Sequence, residues 1–312
     1  LILSLNFILM MLFVLNGIFR AAGNPAIAMR TLIVANGLNI ILDPIFIFGL
    51  GPITGMGVTG AAVATCIGRG TGVIYQLYVL LSGGSLIKVY SEFLRPNWEI
   101  LLKLVRVSAG GAGQFLISTA SWIFLIRILA SFGSTVLAGY TIAIRIIIFS
   151  ILPSWGLSNA TATLVGQNLG AGQPERAEKT VWTAGWYNML FLMVLSIGFF
   201  SFSEYICAFF TEDLEVVKEA SLCLKVICCG YIFFAYQMII NQAFNGAGDT
   251  YTPTLLSFIF MWLVQIPLAY TLAYTFNFDS LGVYLAIAIS SVFMTAAAIY
   301  LFRKGKWKKM QV

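Results

Sequence analysis

Of the twelve acidic side chains in this 312-residue sequence, Asp43 alone lies well inside an apolar run, within Asn39-Ile-Ile-Leu-Asp-Pro44. A carboxylate at the centre of a membrane helix costs roughly 2.5 to 3.5 kcal/mol on insertion scales, so such an acid is expected to face a cavity or a cation. Asn39 precedes it by one helical turn and would share its face, where its carbonyl offers a second hard oxygen. Pro44 removes a backbone donor and frees a carbonyl of the preceding turn toward the same pocket. Asn39 and Asp43 are thus candidate ligands for a proton or for Na+, and both ions stay open. The structural alternative is that Asp43 caps the proline kink or pairs with a buried base.

A second group is uncharged. Gln114, Asn159, Thr161, Asn188, Gln237, Asn241 and Gln265 punctuate apolar segments, where they could line a wet cavity or bond helix to helix. Arg69, Arg127 and Arg145 also fall in or near apolar segments, and structural ion pairs are expected for them. Chemistry of the enzymatic kind finds no anchor: His is absent, no paired acids sit at a segment end, and no glycine loop ends in Gly-Lys-Ser/Thr. The five cysteines mostly lie in apolar segments without CxxC pairing and read as small packing residues, and no resident cofactor is expected.

The elements that must carry these residues are membrane helices. Hydrophobic residues make up 60% of the chain and charged residues 10%, against about 25% charged in an ordinary soluble domain. Mean hydropathy is +0.92. Apolar runs long enough to cross a bilayer occupy residues 26–49, 57–82, 104–130, 136–165, 181–203, 218–243, 254–276 and 282–302, and residues 1–19 read as part of a ninth. The fold class is all-α and polytopic, with about eight full spans and a partial one. A net charge of +6 could suggest nucleic acid, but the densest basic run, Arg303 to Lys309, directly follows an apolar run and reads as a juxtamembrane anchor on the lipid bilayer. No nucleic-acid partner is expected.

Sorting the loops by charge gives one consistent topology. Arg20, Arg30, Lys88, Arg95, Lys103, Arg106, Arg176, Lys179 and the basic tail fall on one side. The turns near Gly51 and Gly133, the acidic stretch Glu204 to Glu219 and Asp279 fall on the other, where Lys218 and Lys225 are the only bases. The C-terminus is therefore expected in the cytoplasm, in a multi-pass protein of the cell membrane.

Asn16-Gly-Ile-Phe-Arg-Ala-Ala-Gly23 is echoed by Asn241-Gln-Ala-Phe-Asn-Gly-Ala-Gly248, and Gly57-Val58 by Gly282-Val283, always 225 residues apart (241 − 16, 248 − 23, 282 − 57). Six spans lie between the echoed loops, so the repeat is parallel. Pro44 and Pro267 are expected to break the helix that follows each loop, and a matched pair of broken helices points to a transporter's working site. The expected organisation is the later part of a first six-helix lobe at 1–82, a cytoplasmic linker at 83–103, a second six-helix lobe at 104–302 and a basic tail at 303–312. The beginning of the first lobe would precede Leu1.

Leu164-Val-Gly-Gln-Asn-Leu-Gly-Ala-Gly-Gln-Pro-Glu-Arg-Ala177 resembles the loop motif of the multidrug and toxic compound extrusion (MATE) family. Asn241 to Thr250, Gly23-Asn-Pro25, Leu137 to Arg145 and Gly60 to Thr65 are similar to family patterns in the same order. The resemblance implies a two-lobe exporter of organic cations or amphiphilic drugs that exchanges them for Na+ or H+. It also implies that Thr65 joins Asn39 and Asp43 in a first-lobe cation site, with a further Asp on a helix preceding this sequence. Gln114 and the neutral run around Gln237 stand where other members carry second-lobe acids. The expectation is alternating access by a monomer moving a small amphiphilic or cationic substrate. The alternatives are a flippase for a lipid-linked precursor and, further off, a membrane-embedded enzyme or a receptor.

Overall fold

The structure is a computed structural model, described for residues 6–50, 53–82, 87 and 97–310, without the side chains of Ile53 and Lys309. It divides into two units, Leu1–Asn97 and Trp98–Val312. In the first, α1 (Asn6–Ala21) packs on α2 (Pro25–Phe48) and α3 (Val58–Leu81). The link from α2 to α3 is a minimal antiparallel pair, β1 (Gly49–Leu50) and β2 (Ile53–Thr54). The second unit contains α4 (Trp98–Ala130), α5 (Ser134–Gly170), α6 (Pro174–Ala208), α7 (Leu214–Cys229), α8 (Tyr231–Gly246), α9 (Tyr251–Thr275) and α10 (Asp279–Arg303).

Six of these helices are long and apolar enough to cross a membrane, or seven if the bent pair α7–α8 is taken as one span. The expected eight full spans are therefore not all of one kind. The stretch read as a single span at 218–243 is two helices meeting at Gly230 with a 58° bend. α3 is long enough but diluted by glycines, Arg69 and Gln76. α4 starts at Trp98, so residues 98–103, expected in the linker, are helical. Of the remaining linker, 83–86 and 88–96 lie outside the described residues, as do Lys88 and Arg95. Outward faces are strongly apolar: Phe13 and Ile33 in the first unit and Phe149 and Phe202 in the second are all more than half exposed, as a lipid-facing surface requires.

Three turns share one geometry. In each a glycine with φ near +70 to +85° closes a helix, and the following N–H reaches back five residues: Asn24 N to Phe19 O at 2.9 Å, Gln173 N to Asn168 O at 2.8 Å and Asp249 N to Phe244 O at 2.9 Å. Only glycine takes this left-handed position without a Cβ penalty, and the bonds cap carbonyls that the helix leaves unpaired. The first and third turns are the echoed segments, and their bonds keep the offset of 225 (244 − 19, 249 − 24). Pro25 and Pro174 then open the next helix, where a missing N–H costs nothing.

The two prolines do not break their helices. Pro44 sits inside α2, which continues to Phe48. Pro267 lies between two wide-turned π-helical segments of α9, Phe258–Gln265 and Thr271–Thr275, so the chain absorbs its missing donor by widening rather than by stopping. Hydroxyls from neighbouring helices serve the widened stretch: Ser290 donates to Phe260 O at 2.7 Å and Ser121 to Met261 O at 3.2 Å.

The basic tail also differs from a simple lipid anchor. Trp307 is 1% exposed, stacks on Phe302 with ring centroids 4.6 Å apart and donates to Phe302 O at 2.9 Å. Lys308 pairs with Glu178 at 2.6 Å, and Arg303 lies over the Trp182 ring. The tail is thus folded onto the start of α6.

Candidate functional site

Two sets of polar side chains lie within these units. In the first unit α2 and α3 approach closely because Gly68 and Gly72 present no side chain: a Cβ on Gly68 would stand 2.7 Å from Ala35 O and 3.4 Å from Asn39 Cβ. This small-xxx-small contact brings Asn39 to Thr65, with Asn39 Nδ2 3.5 Å from Thr65 Oγ1. Thr65 also donates to Ala61 O at 2.8 Å, which fixes its rotamer. One turn beyond Asn39, Asp43 Oδ1 is buried and has no hydrogen-bond partner. The alternative of a paired or capping Asp43 thus finds no partner for this oxygen among the described residues. Thr65 lines a cavity of about 350 Å³ with Cys66, Arg69 and Asn6.

Gly68→Leu is expected to push α2 from α3 and part Asn39 from Thr65, at about 1 to 3 kcal/mol for overpacking. Thermal unfolding of the purified protein checks the cost.

In the second unit, α8 presents Gln237, Asn241, Gln242 and Asn245, spaced to share one helical face. Gln237, Asn241, Gln242, Asn245 and Gln114 line a cavity of about 430 Å³. A neighbouring cavity of about 230 Å³ is lined by Gln237 and Gln265 with Ser118, Trp122 and Tyr140. A chain of amides crosses three helices: Asn245 Nδ2 donates to Gln114 Oε1 at 3.4 Å and to Gln242 Oε1 at 3.0 Å, and Gln242 Nε2 donates to Asn159 Oδ1 at 3.2 Å. The structure therefore brings together Gln114, Asn159, Gln237 and Asn241, with Gln265 in the adjoining chamber. Asn188 is different, donating to Ala235 O at 3.0 Å as helix-to-helix glue, and Thr161 bonds its own helix.

Gln242 and Asn245 were not singled out from sequence. Their signal was the i, i+4, i+8 recurrence from Gln237 through Asn241 to Asn245, with Gln242 beside it. Arg69, Arg127 and Arg145 form no ion pair with a described residue, whereas Lys103–Glu99, Lys225–Glu204 and Lys308–Glu178 do pair. Arg69 instead faces the first-unit cavity. Cys207, Cys223 and Cys228 are free thiols packed in the core, as a small-hydrophobe role requires.

A nearly all-helical, multi-pass membrane protein with these features has known relatives. The MatE family profile matches residues 112–271, more than half of the chain, and the chain belongs to that family. It is 29% identical to a probable multidrug resistance protein NorM of Thermotoga maritima, over 99% of this chain and 66% of that protein. It is 25% identical to the multidrug export protein MepA of Staphylococcus aureus, over 96% of this chain and 65% of that one. Among solved structures, a MOP superfamily transporter from Pyrococcus furiosus superposes with a TM-score of 0.89 at 25% identity, covering 98% of this chain and 69% of that chain. A MATE crystal structure in the bent conformation gives 0.89 at 24% identity, covering 98% and 68%. The chain thus spans about two thirds of the length of the relatives it matches.

Proposed function

We propose that the protein containing this chain is a secondary active exporter of amphiphilic or cationic small molecules, driven by antiport of Na+ or H+. The observation that carries the reading is the buried, unpartnered Asp43 Oδ1, one turn from an Asn39 that meets Thr65 across the α2–α3 contact. These oxygens are of the hard type that Na+ prefers, and the carboxylate serves a proton equally well. Gln114, Asn159, Gln237, Asn241 and Gln265 would then belong to the substrate path. The two units are read as portions of two lobes related by the parallel repeat, with the C-terminus cytoplasmic.

Coupling requires that the ion bind one facing state more tightly than the other, and reciprocity then makes ion and substrate weaken each other's binding. The lipid-precursor flippase would call for a strongly basic chamber, whereas neither second-unit cavity has a charged lining residue. The test is dye efflux from everted vesicles under separately imposed Na+ and H+ gradients. Flux driven by one gradient supports the antiporter; flux under neither transfers the assignment to the flippase.

A further inference from the structure

The geometry points to a binding site in the second unit for an uncharged, planar molecule that carries both hydrogen-bond donors and acceptors, with Gln237 partitioning its two chambers. This rests on the export reading and narrows its substrate class at this site. The two cavities share Ser118, Phe234, Gln237, Met261 and Met294 in their walls and are therefore neighbours. The larger, about 430 Å³, is within the range typical of small-molecule pockets, and the smaller, about 230 Å³, extends it.

The chemistry of the walls selects against charge. No Asp, Glu, Lys or Arg lines either chamber. A cation entering an apolar-walled cavity gives up its hydration, and amide dipoles alone return less than a carboxylate would. A neutral molecule has no such charge to desolvate. Phe115, Trp155 and Phe234 supply flat apolar surface, and Met238, Met261 and Met294 supply soft, adaptable contacts.

The amides supply the orientation. Asn245 spends its nitrogen on Gln114 and Gln242, leaving its buried Oδ1 without a donor. Asn241, 9% exposed, likewise keeps a buried Oδ1 with no partner. Buried acceptors of this kind are uncommon and costly, and a small side-chain rotation toward a ligand N–H or O–H would satisfy them. Gln237 completes the set. Its oxygen accepts from Ser291 at 3.0 Å, but its nitrogen donates only to the thioether of Met294 at 2.9 Å. A thioether is a weak acceptor, so a ligand carbonyl would take that N–H in exchange and draw Gln237 off the partition.

The experiment uses the intact purified protein in detergent and two probes, 7-amino-4-methylcoumarin, which is neutral with a donor amine and an acceptor lactone, and its trimethylammonium derivative. Equilibrium dialysis is expected to show the neutral probe binding at least about tenfold more tightly than the cation. Gln237→Leu and, separately, Asn241→Leu should each weaken the neutral probe by about tenfold. Size-exclusion chromatography identifies any variant that misfolds, and the other then carries the test. Equal or tighter binding of the cation, or neutral-probe affinity unmoved by the folded variants, overturns the proposal. Binding is read without a gradient: loss of gradient-driven efflux with binding intact would overturn the export reading alone, and the reverse would overturn this site alone.

Discussion

Asp43→Asn is expected to abolish gradient-driven efflux while leaving the protein inserted and folded. The change is isosteric and removes a charge whose burial costs roughly 2.5 to 3.5 kcal/mol at a helix centre, so protein yield should hold or rise. What disappears is the differential. Allosteric couplings are typically about 1 to 3 kcal/mol, or roughly 5- to 150-fold in affinity, and a neutral amide in place of the Asp43 carboxylate neither takes up a proton nor attracts Na+ with a full charge. Downhill counterflow of dye, which needs no ion, should persist. Thr65→Val tests the other wall: it removes the hydroxyl 3.5 Å from Asn39 Nδ2 but keeps the shape, so a partial loss is expected if Na+ is the coupling ion and little change if the proton is. Unchanged ion-driven efflux by the Asp43→Asn variant would refute the assignment of Asp43.

How far the sequence discloses such a site depends on whether its parts share a helix. Asn39 and Asp43 are one turn apart on α2, so their common face follows from helical spacing. Thr65 lies on α3, and nothing in local pattern joins it to Asn39; the family resemblance suggested it, and the glycine-mediated approach at Gly68 supplies the physical reason. The same holds in the second unit. Gln237 and Asn241 stand out as polar residues in an apolar helix, but the chain from Gln114 through Asn245 and Gln242 to Asn159 spans α4, α8 and α5, and only packing creates it. Helix existence was readable from hydropathy, whereas the 58° bend at Gly230 was not, since apolar character runs through it unbroken. Pro267 misled in the opposite direction. A missing donor announces itself in sequence, but the hydroxyls of Ser290 and Ser121 that serve the widened π turn come from other helices.

Trp307→Ala is expected to destabilise the second unit by about 3 to 5 kcal/mol, the usual range for truncating a buried aromatic. Composition alone gives the opposite expectation, because a tail of lysines looks like a solvated lipid anchor. The difference lies in what surrounds the charges. Trp307 fills the end of a core formed by Phe302, Phe244, Val181 and Ala177, and its indole N–H is satisfied by Phe302 O. Trp182 extends this layer, meeting Phe302 edge-on at 5.7 Å and donating to Glu178 at 3.3 Å. Lys308 reaches the same Glu178, but its side chain is 26% exposed, and a pair so placed contributes at most about 1 kcal/mol. Lys308→Met should therefore cost a small fraction of what Trp307→Ala costs in thermal unfolding, and the gap should persist in high salt, which screens the ion pair and leaves the stacking intact. A tail that worked only as a lipid anchor would reverse the order: removing lysines would weaken membrane association, and removing the tryptophan would leave the unfolding of α6 and α10 unchanged.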